Sequence, residues 1–227
     1  MVRVHIFKVG DFLVKLYYLT GAQFALSNLA LRRIKISRFS DLNDPFELMA
    51  VNLSDDVERR ALEGFHDQIN ASKGVICFSA TWENPVLWGH YADKHRGIAL
   101  GFEVTNDLIL EARYENSRFH LPRDPVADHA KPNEETIQRI LSTKFSDWKY
   151  ENEWRMFIEL KNANLESGLY FEDFSESLKL TEVILGPKCE MPKEKIHDLI
   201  VAMGLTANVI KARIAHDEFK VIEDNII

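Results

Sequence analysis

Two carboxylates and a guanidinium stand at every second position in Tyr150-Glu-Asn-Glu-Trp-Arg-Met-Phe-Ile-Glu159. Read as a strand over 151–160, the segment sends Tyr150, Asn152, Trp154, Met156 and Ile158 to one face and Glu151, Glu153, Arg155, Phe157 and Glu159 to the other. The first set suits a core. The second suits either of two roles. A solvent-facing row of ion pairs is the ordinary use of a polar strand face in an antiparallel sheet. A carboxylate fixed beside a sugar ring instead stabilises the positive charge that develops as a glycosidic bond breaks. Like charges this close raise one pKa, whereas Arg155 favours ionisation of both, so the residues alone leave the division of roles open.

A second group runs through Val75-Ile-Cys-Phe-Ser-Ala80 and Pro85-Val-Leu-Trp-Gly-His-Tyr-Ala-Asp-Lys-His-Arg-Gly97. Ser79 ends an apolar run, where a hydroxyl serves either chemistry or a turn. Leu87, Trp88, Tyr91 and His95 fall near one helical face, and Trp88 and Tyr91 are expected to pack on the strand at 75–78. His90 and His95 are five apart, about 140° around a helix, which is poor for joint ligation, so no metal site is expected. Cys77 reads as a small buried hydrophobe. Asn43 and Asp44 carry turn chemistry, with Asp44 as a cap and Pro45 as a first helical residue.

These groups need a frame. Apolar patterning predicts strands at 1–8, 15–19, 34–37, 74–78, 96–102 and 180–185, with short ones near Val209 and Phe219. Helices are expected at 23–31, at 84–94 and at 134–144. A further helix is capped by Ser54, begins with Asp55 and Asp56, and carries Val57, Ala61, Phe65 and Ile69 on one face. The last runs over 193–203 and is closed by Gly204. Residues 122–132 form the longest loop. Strand and helix mix without a βαβ rhythm, which predicts an α+β domain with a largely antiparallel mixed sheet and flanking helices.

The chain has 227 residues, 46% hydrophobic and 28% charged, enough apolar mass for one domain with a real core. Its net charge of −7 disfavours nucleic acid as a partner. No window reaches the roughly 20 apolar residues of a membrane span, and the N-terminus lacks a signal peptide's pattern. Two cysteines give no disulfide framework, so a cytoplasmic, reducing location is expected. Arg32, Arg33, Lys35 and Arg38 form a basic patch, either a solvated rim or a grip for a phosphate-bearing small molecule.

Three segments together resemble a bacterial family known as domain of unknown function 2971. They are Phe39-Ser-Asp-Leu-Asn-Asp-Pro-Phe-Glu47; Cys77-Phe-Ser79 with Leu87-Trp-Gly-His-Tyr-Ala-Asp-Lys-His-Arg-Gly97; and Lys144 with Trp148-Lys-Tyr-Glu-Asn-Glu-Trp-Arg155. The resemblance runs from about Leu16 to Gly186, implies a single domain of this type over 1–227, and brings no established activity.

A looser likeness suggests chemistry. Leu16-Tyr-Tyr-Leu-Thr-Gly21, followed by a helix and Ile34-Lys-Ile-Ser37, is similar to the start of ADP-ribosyltransferase-type domains. That likeness implies a ring-holding polar residue on the first strand, a Ser or Tyr on a middle strand, and a catalytic Glu on a later one, often in Glu-x-Glu. Here these would be Tyr17 or Tyr18, Ser79, and Glu151 with Glu153. The first strand departs from the pattern, because those enzymes usually carry His or Arg there. Asn43, Asp44, His90, Tyr91 and Arg155 are the further candidates for binding substrate. The likeness implies nicotinamide adenine dinucleotide (NAD) as substrate, no metal, and a toxin or phage-defence setting. Two readings stand side by side: an enzyme that cleaves NAD or transfers its ADP-ribose, and a non-catalytic ligand-binding or sensing module of the same fold. A small nucleotide ligand and a protein partner are both open.

Overall fold

The computed structural model describes residues 13–122, 133–161, 163–164 and 167–225. The expected strand at 1–8, and all but the first residue of the expected loop at 122–132, lie outside the described residues. In chain order the elements are β1 (Leu13–Thr20), α1 (Ala22–Leu31), β2 (Arg33–Ile36), α2 (Asp56–Ser72), β3 (Lys73–Ser79), α3 (Pro85–Tyr91) and β4 (Ile98–Thr105). Then come β5 (Ile109–Glu111), β6 (Arg113–Glu115), α4 (Glu134–Ser142), β7 (Thr143–Phe145) and β8 (Glu153–Glu159). The rest are β9 (Tyr170–Asp173), β10 (Leu178–Leu185), α5 (Lys193–Ala202), β11 (Asn208–Ile214) and β12 (Val221–Glu223). The fold is α+β, as expected.

Eight strands form the main sheet in the order β12-β11-β10-β4-β1-β3-β8-β5. Every pairing in it is antiparallel except β10 with β11. Two small sheets, β2-β9 and β6-β7, lie beside it. Alternation along the strands gives the sheet two buried faces. One carries Leu16, Ile76, Phe78, Phe102 and Met156 against Ala25 and Leu29 of α1 and Ile196 and Ile200 of α5. The other is covered in two separate patches. Near β3 and β8, Val75 and Phe157 meet Leu62 and Ile69 of α2 and Ile137 and Ile140 of α4. Toward β10 and β11, Trp88 and Ala92 meet Ala99, Ile184, Ile210 and Ala212.

Between these patches the sheet opens. β1 pairs with β4 over eight residues and β3 with β8 over seven, but β1 meets β3 only at Tyr17 opposite Ser79. Along the rest of β3, Ser37 bridges to Val75 instead. A gap is left between Tyr18-Leu19 and Ile76-Cys77-Phe78, walled by β2.

Several expectations change in detail. The helix expected at 84–94 ends at Tyr91, because Asp93, Lys94 and His95 take left-handed φ values of 44°, 54° and 73°. His95 therefore leaves the helical face. Trp88 does not pack on the strand at 75–78. It lies over β4, β10 and β11, where its indole N–H donates to the Trp82 carbonyl at 2.5 Å. The close fit requires Gly186, since a Cβ there would stand 2.8 Å from the indole ring and 2.5 Å from the His95 carbonyl. The helix expected at 134–144 stops at Ser142, so Lys144 belongs to β7. Asp55 rather than Ser54 caps α2, its carboxylate accepting the Glu58 N–H at 3.2 Å. Asp44 caps a turn and not a helix, accepting the Phe46 N–H at 2.9 Å.

Trp88 is fully buried, so Trp88→Ala should cost about 3–5 kcal/mol, the usual range for emptying a buried indole site. Guanidinium denaturation of both proteins measures this. An unchanged midpoint would refute the packing role.

Candidate functional site

The strand expected over 151–160 begins two residues late. Ser146–Glu151 form a 3-10 turn, and Asn152 follows at φ 43°, a left-handed value that Asn tolerates better than most residues. This corrects the expected facing of Tyr150, Glu151 and Asn152, which are not strand residues. The left-handed step brings Glu151 and Glu153 to one place despite their different backbone settings.

The end of β3 holds that turn. Ser79 Oγ donates to the Glu151 carbonyl at 2.6 Å and accepts the Thr81 N–H at 3.2 Å, while the Ala80 N–H donates to the Asn152 carbonyl at 2.9 Å. Asn84 caps α3 by accepting the Val86 N–H at 2.9 Å and donates its amide to the Tyr150 carbonyl at 3.1 Å. The Ser79 hydroxyl is thus engaged by backbone, as a positioning group for Glu151.

At the gap in the sheet lies a cavity of about 270 Å³, lined by Tyr17, Tyr18, Asn43, Ser79, Tyr91, Glu151 and Glu153 among the expected residues. Lys35, Glu47, Cys77 and Lys144 line it as well. Its floor is a chain of buried charges. The Tyr91 hydroxyl donates to Glu151, and Asn43 donates to that hydroxyl at 3.2 Å. Lys144 donates to Glu151 and, at 2.9 Å, to Glu153. Arg155 donates to Glu153 at 3.0 Å, to the Leu141 carbonyl at 2.8 Å and to Glu47, with 2.6 Å between the closest atoms. Glu151, Glu153 and Arg155 are only 5%, 3% and 1% exposed. The solvent-facing ion-pair row is therefore excluded.

Burial alone would discharge such groups, but their neighbours outweigh it. Burial works against ionisation of Glu153, yet Arg155 and Lys144 bring its carboxyl down to about 2. Burial likewise opposes the charge on Lys144, and Glu153 with Glu151 holds the ammonium above its ordinary value. Glu47 behaves differently: burial raises its carboxyl more than Arg155 lowers it. The Tyr91 phenol is raised by burial and by Glu151, so it stays a donor. Burial also raises Cys77, with Glu153 adding to it, so the thiol stays protonated.

Some expected residues stand apart. His90 is exposed, with its ring 6.0 Å from that of Tyr150, and does not line the cavity. Asp44 is buried in its turn beside the cavity and does not line it. Arg155 lies beneath the cavity as an anchor for Glu153 and Glu47 rather than on its wall. Tyr17 reaches toward β10, where burial and Glu182 push its phenol up to about 12. Tyr18 points to the opposite face, edge-on to Phe78 at 6.3 Å, and burial pushes it up to about 12. Of the basic patch, Lys35 lines the cavity, while Arg33 and Arg38 stack on Phe171 and Tyr170. Lys144 and Glu47 were not among the expected site residues. Both stood in quoted motifs, yet nothing local in the sequence marked a lysine or a turn glutamate as partners of the Glu151–Arg155 segment. Among the described residues, no group of three or more His, Cys, Asp or Glu side chains is placed to hold a metal ion.

The sign of the pH dependence follows from Glu153. Its folded pKa, about 2, lies below the ordinary 4.5, so its ion pairs stabilise the fold fully above 4.5 and fade as pH falls toward 2. Glu153→Gln should lower stability near neutrality and flatten the acid slope between those values. Denaturation midpoints from pH 7 to about 2 measure it. Identical slopes in the two proteins would count against the ion-pair assignment.

Comparison with known proteins adds one match. No curated protein and no solved structure matches the chain. A family model, described as a protein of unknown function (DUF2971), matches residues 87–156, the stretch that runs from α3 through β8 and carries Tyr91, Lys144, Glu151, Glu153 and Arg155. Over that stretch the chain is similar to the DUF2971 family, the family that its motifs resemble.

Proposed function

We propose that the cavity is the active site of an enzyme that breaks the N-glycosidic bond of NAD or a related nucleotide. The observation that carries this reading is the cavity floor, where the buried carboxylates of Glu151 and Glu153 stand side by side with Lys144 between them and Arg155 behind Glu153. The Glu153 anion, fixed in a water-poor place, favours a cationic ring and the ribosyl cation formed as it leaves. Glu153, ionised at every physiological pH, is the fixed anion beside the ribose. Glu151, hydrogen-bonded by Tyr91, takes the proton of the incoming acceptor. The bond between ribose C1′ and the nicotinamide nitrogen breaks, its electron pair neutralises the ring, and water or an acceptor hydroxyl adds to C1′. Lys35, on the β2 wall, suits a phosphate. The likeness to ADP-ribosyltransferase-type domains supports the same roles for the Glu-x-Glu pair, while Tyr17 and Tyr18 remain departures from it.

A non-catalytic ligand-binding module is the second reading. It is favoured by the pairing of each carboxylate with a cation or a phenol, an arrangement that holds the fold together without any reaction.

Two measurements separate them. NAD, ADP-ribose or ATP at a hundredfold excess over its dissociation constant should stabilise the protein by about 2.7 kcal/mol, read as a thermal shift. Single-turnover nicotinamide release should fall by orders of magnitude in folded Glu153→Gln, because the anion that interacts more strongly with the ribosyl cation than with the ground state is lost. Ligand binding without nicotinamide release by the wild type would leave the second reading. Equal release by wild type and Glu153→Gln would remove Glu153 from the mechanism.

A further inference from the structure

A second cavity, of about 260 Å³, lies on the far side of Lys144. Lys144 is the shared wall, since it lines both cavities while its side chain is only 6% exposed. The second cavity is built from the Asp44–Ala50 turn, the segment after β6, and β7. Phe46 and Phe145 line it and are 57% and 46% exposed, so both rings offer open apolar surface within one cavity. Met49 adds apolar surface, and the Arg118 guanidinium stands 5.5 Å from the Phe46 ring centre. Asn116 lies at the same wall, accepting a hydrogen bond from Ser146.

We propose that this second cavity binds the planar base of a nucleotide. Two phenyl rings offer stacking surface, which is tolerant of which base is bound because every base has a π face. Arg118 supplies a cation for stacking or for a phosphate attached to the base's ribose. Lys144 joins this subsite to the carboxylate floor, so a ligand that fills both cavities passes over the one ammonium that neutralises Glu151 and Glu153. The proposal rests on reading the first cavity as a nucleotide site.

Its test is calorimetric titration of the full chain with AMP and, as a base-less control, ribose 5-phosphate. Wild type should bind AMP more tightly than ribose 5-phosphate. Phe145→Ala and Phe46→Ala should each weaken AMP about tenfold or more, the usual worth of one stacked base, and leave ribose 5-phosphate unchanged. Both side chains are largely exposed, so the variants should keep the wild-type melting temperature. AMP binding that ignores both phenylalanines, or that is no tighter than that of ribose 5-phosphate, overturns the subsite. The outcomes are separable from those of the catalytic reading. Phenylalanine-dependent AMP binding without nicotinamide release keeps the subsite and rejects the reaction. Nicotinamide release together with phenylalanine-independent AMP binding does the reverse.

Discussion

The ammonium of Lys144, held between Glu151 and Glu153, is the contact on which the site depends. Two carboxylates brought this close inside a protein cannot both stay ionised without a cation between them. Lys144 stands between them, and with Arg155 behind Glu153 it holds the Glu153 carboxyl ionised. Such a cluster is costly to break and modest in its net contribution, because desolvation offsets most of the attraction gained. Its physical value is therefore fixed geometry and fixed charge, more than stability.

Each member of the chain comes from a different piece of backbone. Lys144 stands on β7, Glu151 on the 3-10 turn, Glu153 and Arg155 on β8, Glu47 on the turn before α2, and Tyr91 at the end of α3. The charges consequently tie together the two patches that cover this face of the sheet, the one built on α2 and α4 and the one built on α3. The gap between the patches persists because β1 and β3 share a single paired position. A fully zipped sheet would leave no room for the cavity.

The buried phenol and thiol fit the same electrostatics. Tyr91 and Cys77 both border a carboxylate in a dry setting, and both are driven toward their neutral, proton-bearing forms. The cavity thus presents hydrogen-bond donors beside the Glu153 anion.

Much was legible in the sequence because it depends on nearby residues. The helices α1 to α5, the longer strands, the α+β class and the Gly204 helix stop follow from periodicity, caps and residue type, whereas the three- and four-residue strands β5, β6, β7 and β9 are too short to leave such a pattern. What local pattern could not supply was burial and partnership. The alternation Glu-x-Glu-x-Arg is the same on a wet face and a buried one, and only α2, α4 and the turn at Glu47 remove the water. The strand reading of Glu151 failed because a left-handed Asn152 is a tertiary choice, secured by Ser79 and Asn84 from more than sixty residues away. Trp88 went to the far patch because the close approach of Gly186 opens a place for the indole there. Glu47 and Arg155 are 108 positions apart in the chain, and Lys144 meets its glutamates across the end of β7. Composition and periodicity are sums over neighbours in sequence, whereas a buried charge is set by what lies next to it in space. The sequence by itself thus determined the longer elements and most of the residues that could do chemistry, and the tertiary structure decided the short strands and which residues are dry, paired and turned to one cavity.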